Sequence, residues 1–364
     1  MPTQTMHAVL LLGHGGFDQL HYRTDVPIPQ PAKNEVLVNI SACGVNNTDI
    51  NTRTAWYSKA VTSATSDGGS VGFELANTDD SSWSGAALEF PRIQGADCVG
   101  RIVSVGEGVS QSRLGERVLV SAIQHDYANP EDYKCYTLGS EMDGGFAQYV
   151  SVHNEAAHPI NSGWSDAELA SIPCAYSTAE NMLHRSSLGA ERVLITGASG
   201  GVGSAAVQLA KRRGAEVIAL ASASKFEQVK ALGADTVLAR DADLVEALGT
   251  DSVDMVIDLV AGDSWEQLLD VLKRGGKYVT AGAIAGPMVE LDVRTLYLKD
   301  LTFFGCTYQD AQVFKNLIGY IERNEINPVV AATYPLSEIV QAQKDFLSKQ
   351  FTGKLVLIPS AVEA

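Results

Sequence analysis

The sequence predicts an α/β protein in two parts, a β-rich barrel-like domain and a doubly wound parallel sheet. Three observations predict it. Short runs rich in β-branched residues fill the first half, strand and helix patterns alternate from about Trp164 onward, and a glycine-rich turn, Thr196-Gly-Ala-Ser-Gly-Gly-Val-Gly203, opens that alternation.

In order along the chain, strands are expected at 8–12, 35–42, 100–105, 117–121 and 147–152. Turn signals such as Pro27-Ile-Pro-Gln-Pro31, Gly106-Glu-Gly108 and Asp143-Gly-Gly145 separate some of them. Many short strands before any long helix suggest a compact barrel. The stretch 55–90, rich in Ser, Gly, Asp and Thr, reads as a long loop with Trp56, Phe73, Trp83 and Phe90 interspersed. A loop of that length is expected to be functional or mobile. Ser165-Asp-Ala-Glu168 reads as a helix start leading into an apolar helix through Met182. Strands then fall at 192–196, 216–221, 253–259, 276–281 and 301–305, with helices at 203–213, 225–232 and 265–272 between them. That spacing means βαβ units and a parallel sheet. The tail holds helices at 313–324 and 337–349 and a last strand at 354–358.

Composition bounds the function. Hydrophobic residues make up 45% and charged residues 19%, enough apolar content for a large core. The net charge of −16, from 27 Lys+Arg against 43 Asp+Glu, argues against a nucleic-acid partner. No stretch approaches the roughly 20 apolar residues that span a bilayer, so no membrane partner is expected. The first residues do not read as a signal peptide. Five scattered cysteines (Cys43, Cys98, Cys135, Cys174, Cys306) fit reduced thiols, so a cytoplasmic location is expected.

The turn at 196–203 carries the most specific chemistry. Gly197, Gly200, Gly201 and Gly203 let the backbone turn tightly and approach a pyrophosphate. With Ser199 and Val202 they lead into a helix whose N-terminal N–H groups favour an anion. A nucleotide without a 2′-phosphate needs an acid at the end of the next strand. Val217-Ile-Ala-Leu-Ala-Ser-Ala-Ser-Lys225 has none; Ser222, Ser224 and Lys225 suit a 2′-phosphate, so NADP(H) is the expected cofactor. Ser224 could equally cap the following helix.

With these motifs in hand, the chain resembles the medium-chain dehydrogenase/reductase superfamily over nearly its whole length. The resemblance rests on Cys43-Gly-Val-Asn-Asn-Thr-Asp49, Gly95-Ala-Asp-Cys-Val-Gly100, Val103-Ser-Val-Gly-Glu-Gly108 and Gly115-Glu-Arg-Val118. It continues through Asp143-Gly-Gly-Phe-Ala-Gln-Tyr149, the 197–203 turn, Leu232-Gly-Ala-Asp235 and Gly353-Lys-Leu-Val-Leu357. It implies a GroES-like catalytic domain at 1–160 and 310–364, and a Rossmann domain at 161–309. The superfamily's zinc alcohol dehydrogenases carry Cys where this chain has Asn46, and His-Glu where it has Ala96-Asp97; of that ligand set only Cys174 remains. Zn²⁺ needs three protein ligands and an open position, so no metal is expected. The four-cysteine structural-zinc lobe is reduced to Cys135. What remains looks like the zinc-free quinone oxidoreductases and the 2-enoyl thioester reductases, which place Asn at the position of Asn46 and a Tyr at the spacing of Tyr57.

By that resemblance Tyr57 is the hydrogen-bond donor or proton source, with Asn46 and Thr48 orienting nicotinamide and substrate. Thr178 lies beside the nicotinamide, Gly282 and Ala283 end a strand under its ring, and Lys354 reaches the pyrophosphate, unless it is simply a solvated strand residue. Asp258 either fixes a cofactor hydroxyl or caps a turn. Without a Lewis acid, hydride addition to a quinone or a conjugated carbonyl is less demanding than alcohol oxidation. An enoyl thioester acceptor and a cofactor binder without catalysis stay open. The stretch 55–90 is longer than the family leads one to expect: a lid, an oligomer contact and a disordered excursion are all compatible with it. A homodimer through edge strands near 289–306 is implied. A short-chain dehydrogenase reading is set aside, because no Tyr-x-x-x-Lys follows residue 203.

Overall fold

A computed structural model describes residues 4–127, 131 and 133–361. The chain divides into two compact units. One comprises residues 1–61, 68–174 and 314–364, the other 62–67 and 175–313.

The first unit is the β-rich, GroES-like one. Leu20–Pro27, Thr5–Leu11 and Arg92–Ile93 form a small antiparallel sheet. A larger sheet runs Ala157–Pro159, Arg117–Val120, Val99–Val105, Glu35–Gly44, Lys354–Ile358, Val330–Pro335, with Tyr149–His153 also paired to Glu35–Gly44. Two apolar clusters fill it. One gathers Val9, Leu11, Phe146, Ile339 and Leu357; the other gathers Val38, Ile102, Val118 and Val150.

The second unit is a six-stranded, wholly parallel sheet. Its order is Thr236–Ala239, Glu216–Ala221, Arg192–Ile195, Val253–Asp258, Leu272–Thr280, Thr302–Gly305. Counted within the unit this is third, second, first, fourth, fifth, sixth, the Rossmann order, which reverses beside the first strand. Leu194, Ile218 and Val256 are fully buried because helices cover both faces of a parallel sheet.

The expected single helix from 165 to 182 is two helices. Asp166–Leu169 ends after one turn and Pro173–Arg185 starts anew. Pro173 has no N–H to continue the first helix, but is tolerated in the opening turn of the second.

The stretch 55–90 is not a disordered excursion. It is built of turns and one short 3₁₀ segment, Thr78–Asp80, and its backbone is tied down. Ser81 Oγ lies 2.7 Å from His14 Nε2, and the N–H of Ser84 donates to Glu141. Thr62–Asp67 belongs to the second unit, where Thr65 N–H donates to Ile284 O (3.1 Å).

The main fastener is Arg53. It is fully buried, with its guanidinium donating to Gly15 O, Gly69 O and Gln343 Oε1 and lying 4.6 Å from the Phe17 ring centre. Burial pulls its pKa down to about 10, which leaves it charged at neutral pH. Arg53→Met strands two buried acceptors, Gly69 O and Gln343 Oε1, and is expected to cost about 3 kcal/mol, read as a lower urea midpoint at unchanged slope.

Candidate active site

Strand register builds the first cluster. Val356 pairs with Gly44 and Leu357 with Cys43, antiparallel, so two further residues bring Lys354 opposite Asn46. On the other side Ala42 pairs with Val99, which brings Asp97 opposite Gly44. A Cβ on Gly44 would stand 2.4 Å from Asp97 Oδ2 and 2.9 Å from Lys354 Cε, so only glycine fits.

Asp97 is fully buried, and both its oxygens are engaged. Oδ1 accepts the N–H of Cys174 (2.7 Å); Oδ2 accepts Asn46 Nδ2 (2.7 Å) and Lys354 Nζ (2.8 Å). Lys354 Nζ also donates to Asn46 Oδ1 at 2.5 Å. The next acid, Asp49, accepts the N–H groups of Asn46 and Ala96, and burial raises its pKa to about 7. Burial also holds the Cys174 thiol well above its ordinary pKa, with Asp97 adding to the effect.

These contacts correct two expectations. Lys354 neither reaches toward a pyrophosphate nor lies in solvent. It is 3% exposed, and its ammonium neutralises Asp97, since a buried carboxylate requires a cation. Both ends of the Asn46 amide are committed to that pair, so Asn46 positions the start of a helix rather than presenting its amide to a substrate.

That helix, Asn47–Thr54, carries the second group. Thr48 Oγ1 and Tyr57 OH share a hydrogen bond of 2.9 Å, and Asn51, one turn along from Thr48, also interacts with the phenol. Burial raises the Tyr57 pKa above its ordinary value, so the phenol stays protonated and able to donate. Tyr57 and Thr48 are both half-buried.

In the second unit the turn at 196–203 joins the strand Arg192–Ile195 to the helix Gly201–Arg212. Gly197 has φ +60°, and a Cβ on Gly203 would stand 2.2 Å from Gly197 O. Such a turn leaves room for phosphate oxygens at the helix N-terminus, with Gly200, Gly201, Ser199 and Val202 around it. Ser222 is half-buried, Ser224 exposed and Lys225 buried to 8% exposure, with its pKa lowered by desolvation. Ser224 does not cap the helix Phe226–Ala231, whose N-cap is Lys225.

Asp258 takes the turn-capping reading. It is fully buried, accepting Thr196 Oγ1 and the N–H groups of Val260 and Ala261 on one oxygen and Tyr278 OH on the other. Its oxygens are spent, which corrects the cofactor-hydroxyl role. Gly282 and Ala283 follow the strand Leu272–Thr280 and are half-buried, as is Thr178 in the helix Pro173–Arg185.

Asp97 escaped the sequence reading as a site residue. Its signal was an acid within Gly95-Ala-Asp-Cys-Val-Gly100, two residues before the strand Val99–Val105, and its partner cation lies 257 residues away.

Residues 32–162 match the alcohol dehydrogenase GroES-like domain, and 201–323 match the zinc-binding dehydrogenase family. A solved protein from Sinorhizobium meliloti 1021, assigned as an alcohol dehydrogenase, is 44% identical with a TM-score of 0.86, covering 99% of this chain and 98% of its own. The quinone oxidoreductase of Mus musculus is 28% identical over 97% of this chain and 98% of its own. The acryloyl-coenzyme A reductase of Metallosphaera sedula is 27% identical over 97% and 99%.

The chain belongs to the medium-chain dehydrogenase/reductase superfamily, in its quinone oxidoreductase-like branch.

Membership of the superfamily makes it an oxidoreductase with a pyridine nucleotide cofactor, and raises the question of zinc. The donor set does not fit the metal. Asn46 Oδ1 and Asp97 Oδ2 both face the Lys354 ammonium rather than an open position, and an amide oxygen stands where the family's zinc enzymes carry a thiolate. Among the described residues no group of three or more His, Cys, Asp or Glu could hold a metal, and no helix is long and apolar enough to cross a membrane.

Proposed function

We propose that the chain is an NADPH-dependent, zinc-independent reductase that passes hydride to a quinone or an α,β-unsaturated carbonyl. One observation carries the reading: the Lys354 ammonium is locked between Asp97 and Asn46, while the Tyr57 hydroxyl beside Thr48 is kept protonated by burial. Without a Lewis acid or a base to take its proton, an alcohol is a demanding hydride donor; a conjugated acceptor needs only a donor for the oxygen on which charge develops.

When bound, the nicotinamide supplies the hydride. The chain's part is to hold and to discriminate. The turn at 197–203 receives the pyrophosphate, Ser222, Ser224 and Lys225 receive the 2′-phosphate, and Thr178, Gly282 and Ala283 border the nicotinamide. Tyr57, with Thr48 as its partner, donates to the acceptor oxygen.

The test is cofactor oxidation by metal-stripped protein, with a quinone and with an enone, using NADPH and NADH. Turnover with both acceptors and a preference for NADPH are expected. Zinc-dependent turnover, a preference for NADH, or binding without turnover would each overturn the reading. Lys225→Met is expected to raise the KM for NADPH about tenfold and leave that for NADH unchanged, because only the 2′-phosphate loses a charged partner. An enoyl thioester is the second acceptor class, favoured by the likeness to an acryloyl-coenzyme A reductase. Assaying a short enoyl-coenzyme A beside the quinone ranks the two.

A homodimer completes the proposal. Thr302–Gly305 is an open sheet edge, flanked by the exposed side chains of Val293, Tyr297 and Leu298, and unpaired edges invite a second copy. Sedimentation at twice the chain mass supports it, and a cytoplasmic location goes with it.

A further inference from the structure

We propose that Lys354 is this protein's built-in substitute for a metal ion: its ammonium is the resident cation of a pocket formed by Asp97 and Asn46, and keeps divalent metals out of it. The inference rests on the zinc-independent reading above and goes beyond it, because it names the group that enforces that independence.

Four features carry it. First, the pocket is anionic and dry, with Asp97 fully buried and Asn46 6% exposed. A buried carboxylate without a cation costs several kcal/mol, so the pocket demands a positive charge. Second, Asp97 Oδ2 and Asn46 Oδ1 converge on one nitrogen at 2.8 and 2.5 Å, two oxygens turned on a single cation. Third, the pocket is shaped for the lysine arm. Gly44 leaves clear the space that Lys354 Cε and Asp97 Oδ2 occupy, and any Cβ there would also meet Ala170 O at 2.8 Å. Fourth, the cation arrives with folding. Lys354 opens the last strand, and Val45 N–H donating to Leu355 O (2.9 Å) pins that strand beside Asn46.

A tethered ammonium has no dissociation constant to satisfy, whereas a divalent ion must displace it from both Asp97 Oδ2 and Asn46 Oδ1. Removing the ammonium therefore exposes a ready carboxylate–amide oxygen pair, with Cys174 adjacent through its N–H bond to Asp97.

The experiment uses Co²⁺ as probe on the full chain, its Lys354→Ala variant, and the Lys354→Ala/Asp97→Asn double variant. Bound cobalt is counted after desalting, and the melting temperature is read with and without the metal. The expected results are none bound by the native chain and about one per chain by Lys354→Ala, with affinity at least about tenfold above that of the double variant. Added Co²⁺ should restore the melting temperature of Lys354→Ala alone. If Lys354→Ala is too unstable to isolate, it is refolded in Co²⁺: rescue by the metal supports the inference. Failure to refold while the double variant folds overturns it, as does a folded Lys354→Ala that takes no cobalt. Stoichiometric metal in the native chain would instead remove the zinc-independent reading itself, so the two failures are distinct.

Discussion

Gly203→Val is expected to abolish nucleotide binding while leaving the other unit intact. The turn closes on itself at this residue. An added Cβ would lie 2.2 Å from Gly197 O and 2.7 Å from Ala198 Cα, both backbone atoms that no rotamer change can move. The clash can be relieved only by shifting the 197–200 loop off the head of the helix Gly201–Arg212. That shift pulls apart the N–H groups that would hold a pyrophosphate. Gly197 cannot absorb it by changing conformation freely, because its φ of +60° is already set by the turn. The loss should exceed about 10³-fold in NADPH affinity, since both the charge-assisted contacts and the close backbone approach go together. Fluorescence titration with NADPH reads it directly. Binding within about tenfold of the native value would mean that the turn is not the phosphate site. Gly200→Ala is a useful contrast: its Cβ would meet Gly197 O at 3.4 Å, an ordinary contact, so the turn survives.

This turn was legible in the sequence because its demands are local. A strand, four glycines within seven residues and a helix state the geometry without help from the rest of the chain. The alternating strands and helices of the second unit were legible for the same reason, as their buried apolar runs are continuous. What was illegible depended on partners far away. The helix Asn47–Thr54 has almost no apolar residue to mark its inner face, yet Asp49, Asn51, Thr52 and Arg53 are buried, with Asp49 and Arg53 held by hydrogen bonds to distant segments. The strand Leu20–Pro27 is largely exposed and polar, which hides it from a search for alternating hydrophobicity. Lys354 misled most. Lysine in a terminal strand is ordinarily solvated, and only the register of Lys354–Ile358 against Glu35–Gly44 reveals that it meets a buried acid.

The pair Asp97–Lys354 also clarifies the division of labour in the first unit. Asn46, whose amide is fully used by that pair, fixes where the helix Asn47–Thr54 begins; the Asn46 N–H bond to Asp49 adds a second fastening. The helix then presents Thr48 and Asn51 on one face, one turn apart, to the hydroxyl of Tyr57. A network with its charges inside and a hydroxyl pair at its margin is suited to placing a donor without supplying a mobile charge.

Tyr57→Phe should therefore lower kcat by about 10²–10³-fold, the cost of losing one preorganised donor to a developing oxyanion. The fold should survive, because the hydroxyl's partner Thr48 is half-buried and can turn to water. KM should change little, since the hydrogen bond gains most of its strength as charge builds on the acceptor. Thr48→Val removes the partner but keeps the phenol, and should cost less than Tyr57→Phe. The pH profile separates a hydrogen-bond donor from a titrating acid. Burial raises the Tyr57 pKa, so the protonated form persists through the whole neutral range and no limb belonging to this group should appear between about pH 6 and 9. A limb in that range that vanishes in Tyr57→Phe would show instead that the phenol is activated for proton transfer. Unchanged kcat in the variant, with quinone and with enone alike, would remove Tyr57 from the chemistry altogether.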